Sequence, residues 1–194
     1  LFLGRLSQAE LAIAAFGVTH GLVSLLMGPM RNLTQSAQTL VTRREDVRVI
    51  ITFTVQLIAI SVLFAVVLFN SQLKDQVLRV IMGLPADLAT YCEPALNISF
   101  VMAAFWSLTA LFRGLLAKAR TTTSLAASGI LRIVTAAVAG AVGIADPEIN
   151  GAALGIAAWV LSYVVEAAIS AWRLVRIGWF IEQRTISTAA GAGK

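Results

Sequence analysis

Apolar residues in this chain form five long stretches, and short polar segments separate each stretch from the next. A bilayer core about 30 Å thick is crossed by about 20 residues of helix, and each stretch has roughly that length. The stretches cover residues 11–30, 47–69, 88–112, 121–144 and 151–172. Nothing in the pattern is typical of strands. The sequence therefore predicts an all-α, polytopic membrane helical bundle with about five complete transmembrane helices.

The two ends of the chain add to this picture. The first stretch continues as a polar helix to about residue 40, and residues 1–4 are expected to end a further helix whose body is missing. The last residues are rich in Thr, Ala and Gly, as disordered segments often are. We therefore expect a fragment that holds a partial transmembrane bundle over residues 1–180, with its first helix truncated, and a disordered cytoplasmic tail over residues 181–194.

Basic residues in the connecting segments fall mainly on one side of the predicted membrane. That side carries Arg43, Arg44, Arg48, Arg113, Lys118, Arg120, Arg173, Arg176, Arg184 and Lys194. The other side carries only Arg5, Lys74 and Arg79. Because Lys and Arg are enriched in cytoplasmic loops, this asymmetry predicts a multi-pass protein of a bacterial-type inner or plasma membrane, with a cytoplasmic C-terminus.

The composition narrows the function further. The chain has 194 residues, of which 58% are hydrophobic and 13% charged, and its mean hydropathy is +0.84. This is about half the charged fraction of a soluble domain. The single Cys92 and the single His20 give neither a disulfide nor a usual metal site, and sequence motifs of ATPases and hydrolases are missing. We expect no enzyme activity, no cofactor and, despite a net charge of +5, no nucleic-acid partner.

The first predicted span carries a polar stripe. At about 100° per residue, its polar positions fall within an arc of roughly 80°. They are His20, Ser24, Gly28, Arg31, Gln35 and Gln38. Lipid does not satisfy such groups, so the stripe is interpreted as the lining of a hydrophilic cavity, in which Arg31 offers charge and His20 is a candidate for proton coupling. The alternative is a helix buried among its neighbours, with its polar groups satisfied locally.

Pro29 removes a backbone donor from the same span, next to the flexible Gly28. We expect a bend here that could serve as a hinge. Two G-x-x-x-G segments, Gly17–Gly21 and Gly151–Gly155, indicate close contacts between helices. Residues 72–82 have the pattern of a short amphipathic helix on the outer face.

The fourth and fifth spans each carry an ionisable residue inside the membrane. Arg132 lies near the middle of its span and needs a partner there. Glu166 is on the next span, within about 10 Å along the membrane normal at 1.5 Å per residue. Either the two form a structural ion pair that fixes helix register, or Arg132 is shared between Glu166 and an anionic substrate or coupling ion.

The order of these features resembles one six-helix half of the multidrug/oligosaccharidyl-lipid/polysaccharide (MATE-like) exporter superfamily. The residues concerned are Gly28-Pro29-Met30, the basic loop after the first span, Arg113-Gly-Leu-Leu, Leu131-Arg132-Ile133, and Asn150-Gly151-Ala-Ala-Leu-Gly155 leading to Glu166. The last three spans are most similar to the C-terminal half of the progressive ankylosis family, whereas Gly28-Pro29-Met30 is more similar to its N-terminal half. The similarity extends over residues 8–176, with five spans where the half has six.

The resemblance implies half of a MATE-like twelve-helix transporter that works by alternating access around a central cavity. Ankylosis-type members are associated with export of pyrophosphate and organic anions, and other branches move cationic drugs or lipid-linked sugars. The expected partners are the lipid bilayer, a small solute, H⁺ or Na⁺ as coupling ion, and the missing half or a second copy. We thus expect a secondary transporter that exports a small anion; the alternatives are a multidrug or lipid-linked sugar exporter and a non-transporting membrane scaffold subunit.

Overall fold

The computed structural model describes residues 2–146 and 148–178, without the side chains of Arg44 and Thr122. Helices account for all the regular structure of this part of the chain, and strands do not occur in it. The helices are α1 (Ala9–Leu26), α2 (Leu33–Leu40), α3 (Arg44–Phe69), α4 (Leu73–Asp75), α5 (Ala86–Lys118), α6 (Thr122–Gly143) and α7 (Gly151–Arg176). A 3₁₀ turn, Leu3–Arg5, precedes α1. The predicted tail over residues 181–194 lies outside the described residues.

Five of these helices, α1, α3, α5, α6 and α7, are long and apolar enough to cross a membrane. They correspond to the five predicted stretches, and they are consistent with a multi-pass membrane protein. The largest difference is in α5, which continues to Lys118, whereas the hydropathy pattern ended this span at residue 112. Arg113, the first basic residue after the apolar stretch, is predicted to begin a loop, but the helix continues through it.

The core of the bundle lies around α5 and α7. Helix α5 packs against α7, α3, α2 and α1, whereas α6 packs mainly against α7. Within an apolar 18-residue segment of each span, 50% of the α5 residues are buried, compared with 11% of the α6 residues. The outer faces of α3 and α6 expose large apolar side chains, among them Leu63, Phe64, Ile133 and Val142. Such surfaces are stable against acyl chains and unstable in water.

Helix α1 ends at Leu26, and a 3₁₀ turn over Gly28–Asn32 separates it from α2. The interruption expected at Pro29 is therefore present, although hinge motion there stays a prediction. Each 3₁₀ residue turns the chain by about 120° instead of 100°, so over the three steps from Gly28 to Arg31 the side-chain directions shift by roughly 60° from those of a regular α-helix. For this reason the polar residues of α1 and those of α2 do not form one continuous stripe.

Glycines allow close contacts at some of the expected positions. A methyl group built on Gly151 would lie 2.5 Å from the Cβ of Ala12, and one on Gly155 would lie 2.5 Å from the ring of Phe16. This pair therefore brings α7 close to α1, as predicted. The second pair is different, because added methyl groups on Gly17 and Gly21 would meet nothing within 4 Å. The prediction of a helix contact at Gly17 and Gly21 is wrong for the described residues.

The segment after α3 is helical, as its amphipathic pattern predicted, but its second part, Gln76–Ile81, is a π-helical turn. Leu78 is fully buried, whereas Val80 and Ile81 are exposed. Lys74 Nζ lies 3.1 Å from Glu93 Oε2, so an ion pair ties this segment to α5.

Candidate functional site

A carboxylate with no exposed surface, that of Glu166, lies on α7 in the cytoplasmic half predicted from the loop charges. The Oε1 atom accepts a 2.6 Å hydrogen bond from Arg113 Nε and lies 2.5 Å from Arg113 Nη2. Its other oxygen, Oε2, lies 3.5 Å from Arg132 Nε and has no hydrogen-bond partner among the described residues. The predicted proximity of Arg132 and Glu166 is confirmed, but the shortest contacts come from Arg113.

Arg113 is predicted to be a loop charge because it directly follows the apolar stretch of residues 88–112, and this prediction is wrong, since Arg113 lies within α5. The sequence does indicate a longer helix. Gly114 and the apolar Leu115 and Leu116 follow Arg113, and together they continue the apolar pattern of the span. Both leucines are fully buried in the structure. Reading the span to Lys118 places Arg113 more than one turn inside the helix, where a charged side chain needs a partner.

Arg132 is held by a second group on α7. Its Nη1 donates a 2.9 Å hydrogen bond to the hydroxyl of Tyr163, and its guanidinium lies 5.0 Å from the centre of the same ring. Tyr163 and Glu166 are three residues apart and so share one face of α7. One face of this helix therefore offers Arg132 a hydroxyl, a π surface and a carboxylate.

Arg31 reaches this region because α2 is fixed along the C-terminal end of α5. Thr34 Oγ1 donates to the carbonyl oxygen of Ala110 (3.0 Å), and Lys118 Nζ donates to that of Gln38 (3.0 Å). Between these two bonds, a methyl group on Gly114 would lie 2.6 Å from the Cβ of Ala37. The contact is possible only because residue 114 has no side chain.

A cavity of about 170 Å³ lies between α2, α5 and α7. Its lining consists of Arg31, Thr34, Trp106, Thr109, Ala110, Arg113 and Tyr163. Because a single water needs only about 10–15 Å³, this space holds several waters or a small solute. Two of the lining side chains are guanidiniums and none is acidic, so the cavity is positively charged. We refer to this space as the arginine cavity.

His20 faces a different space. It lines an apolar groove of about 520 Å³ between α1, α6 and α7, which also includes Phe16, Ile133 and Trp159. The imidazole lies 4.5 Å from the ring of Trp159 and 5.7 Å from that of Phe16, measured between ring centroids. His20 is therefore packed among aromatic rings and is not one of the residues that line the arginine cavity.

The other predicted site residues lie around the 3₁₀ turn and on α1 and α2. Gln35 and Gln38 are exposed on α2, and Ser24 is half-buried on α1. None of these three lines the arginine cavity. Gly28 and Pro29 precede Arg31 within the turn. Of the residues proposed from sequence, Arg31 lines the cavity, and Arg132 and Glu166 reach it through their contacts with Tyr163 and Arg113.

Comparison of the chain with protein-family models, with curated proteins and with solved structures finds no match. The function has to be argued from the arrangement of the residues, together with the resemblance described above.

Proposed function

We propose that this chain is part of a secondary membrane transporter that exports a small anionic solute. One observation carries the proposal: Arg113 and Arg132 both contact the buried carboxylate of Glu166, and Arg31 lines the arginine cavity together with Arg113. Counted as formal charges, the group is left with two positive charges. A structural ion pair would need only one arginine.

Unpaired positive charge is costly inside a membrane unless water or an anion reaches it. Arg31 is exposed, and it shows no hydrogen bond or ion pair in the part of the chain that the structure describes. It lies one residue beyond the predicted span of residues 11–30, and about 14 Å from the end of α2 at 1.5 Å per residue. An anion in the arginine cavity would supply the charge that the protein does not.

The finer features of the proposal rest on the resemblance and on the loop charges. We propose one half of a MATE-like twelve-helix transporter, with a cytoplasmic C-terminus, that works by alternating access. The 3₁₀ turn at Pro29 would be the bend at which the cavity-lining segment moves. In this arrangement the solute enters the arginine cavity from the cytoplasm.

Transport in proteoliposomes tests the proposal. Vesicles containing the purified protein are loaded with succinate, citrate or inorganic phosphate, and uptake of the labelled anion in exchange is measured. We expect wild-type exchange of at least one anion and a loss of tenfold or more in Arg31→Gln and Arg132→Gln. Arg48→Gln is the matched control, because Arg48 is exposed on α3 and lies outside the site. Unchanged flux in both site variants would contradict the proposal, as would a wild-type protein that exchanges none of the anions.

The apolar groove beside His20 favours a second candidate, an exporter of amphiphilic cargo. Its lining of aromatic and aliphatic residues could hold an acyl chain or the apolar part of a drug. This candidate predicts that Ile133→Trp, which fills the groove, abolishes transport of a fluorescent lipid or a cationic dye while anion exchange persists. Normal transport of the dye and the lipid by Ile133→Trp would exclude this second candidate function.

A further inference from the structure

Arg113 faces two environments at once. Its Nε and Nη2 atoms point to Oε1 of Glu166, and its side chain also lines the arginine cavity. A guanidinium carries five N–H donors in a fixed plane, so the donors turned away from Glu166 remain for a ligand in the cavity. A solute bound there would share Arg113 with a carboxylate that belongs to the protein.

We propose that Glu166 is a resident competitor for Arg113, which weakens solute binding and so permits release. This inference rests on the proposed anion transport. With the solute and Glu166 on opposite edges of one guanidinium, the two negative charges lie roughly 7 Å apart. At an effective permittivity of about 20, repulsion at this distance lowers the affinity for the solute by roughly tenfold to a hundredfold.

The same carboxylate has a role when the cavity is empty. Arg113 is partly buried, with 34% of its side chain exposed, and Arg132 has 28% exposed. When no solute is bound, Glu166 remains the shared counter-ion of Arg113 and Arg132. It thereby limits the free-energy cost of two partly buried positive charges. Glu166 therefore acts as a positioning residue through Arg113 and does not itself contact the solute.

The test measures KM and the maximal rate of exchange separately, with whichever of succinate, citrate or phosphate the wild-type protein transports. In Glu166→Gln we expect KM for that anion to fall about tenfold or more and the maximal rate to fall as well, because release is slowed. In Arg113→Gln we expect KM to rise. In the double variant Arg113→Gln/Glu166→Gln, the effect of the second substitution on KM should be smaller than in the wild-type background, because the shared arginine is gone and only direct repulsion remains.

The matched control is Glu93→Gln, which removes the carboxylate of the Lys74–Glu93 ion pair on the outer side of the bundle. We expect its KM to equal that of the wild-type protein. An unchanged or raised KM in Glu166→Gln would overturn the inference. So would a double variant whose KM lies below that of Arg113→Gln by the same factor that separates Glu166→Gln from the wild-type protein. These results concern Glu166 alone, whereas an absence of wild-type exchange would overturn the proposed function.

The inference can still be tested if Glu166→Gln is less stable than the wild-type protein. Loss of the carboxylate leaves the arginines without a counter-ion, so the melting temperature in detergent should fall. If the inference holds, titration with the transported anion at constant ionic strength restores the melting temperature, and raises it by more than in the wild-type protein. A purely structural role predicts no such recovery. Glu166→Asp, which retains the charge, is expected to show intermediate values of KM.

Discussion

At the scale of single residues, Arg132 shows how the bundle holds a charge inside the membrane. The guanidinium lies against the face of Tyr163, donates to its hydroxyl and approaches Glu166, so that three kinds of interaction come from one face of α7. Hydrogen bonds to charged groups contribute more than neutral ones, about 1.5–3 kcal/mol. The hydroxyl of Tyr163 is therefore a measurable part of the site.

Tyr163→Phe tests this contribution. The substitution keeps the ring against Arg132 and removes only the hydroxyl that accepts its hydrogen bond. We expect the free energy of unfolding, measured by denaturant titration in mixed micelles, to fall by about 1–2 kcal/mol. In an Arg132→Gln background the same change should have almost no effect, because the donor is missing. Equal losses in both backgrounds would show that the bond does not stabilise the protein.

Part of this site could be predicted from single residues. A charged residue in the middle of a span needs a partner, so Arg132 and Glu166 could be assigned to each other from their depths alone. Reading the apolar run through Leu115 and Leu116 places Arg113 inside the span as well, but its depth alone does not identify Glu166 as its partner. Only the packing of α5 against α7 decides which of the two arginines lies nearer to Oε1.

At the scale of elements, the short helix α2 determines where Arg31 lies. Two hydrogen bonds fix α2 to α5, and the contact between them depends on the missing side chain of Gly114. The helical stretches and the break at Pro29 follow from hydropathy and from proline chemistry. The change of side-chain direction through the 3₁₀ turn does not follow from the sequence pattern, because that pattern is read with 3.6 residues per turn throughout. This assumption placed His20 and Arg31 on one stripe.

Gly114→Ala tests the packing of α2 on α5, with Gly21→Ala as its control. A methyl group on Gly114 would lie 2.7 Å from the carbonyl oxygen of Thr34, and so it must push the helices apart. We expect Gly114→Ala to lower the free energy of unfolding by about 1–3 kcal/mol. Gly21 has open space around it, and there alanine should raise the stability by about 0.5–1 kcal/mol, because it favours the helix. Changes of the same sign would contradict this account of the contact.

At the scale of the whole molecule, the distribution of surfaces matters more than any one contact. The outer faces of α3 and α6 are apolar and exposed, while the arginine cavity lies between α2, α5 and α7. Hydropathy predicts the spans because lipid imposes the same requirement on every membrane helix. Which polar groups share a cavity depends on the rotation of each helix about its axis, and this is set by packing between distant parts of the chain.

A transporter and a sealed scaffold differ in whether water enters the arginine cavity. In a Cys92→Ala background, Thr34→Cys places a thiol in the cavity lining, and Ala59→Cys places one on the exposed face of α3. We expect a charged thiol reagent, applied to membranes from the side of the C-terminus, to label Thr34→Cys and leave Ala59→Cys unlabelled. The reason is that the first thiol faces water and is ionisable there, whereas the second faces acyl chains.

The same labelling can be competed with the solute. Succinate, citrate or phosphate, whichever is transported, should slow the labelling of Thr34→Cys, because the bound anion and the reagent occupy one space. Labelling of Arg48→Cys, at a position that is exposed near the N-terminal end of α3, should keep its rate and thus exclude a general effect of salt. A Thr34→Cys protein that is folded but stays unlabelled would mean that the cavity is closed to water. Arg113 and Arg132 would then serve only to hold α5, α6 and α7 together through Glu166 and Tyr163.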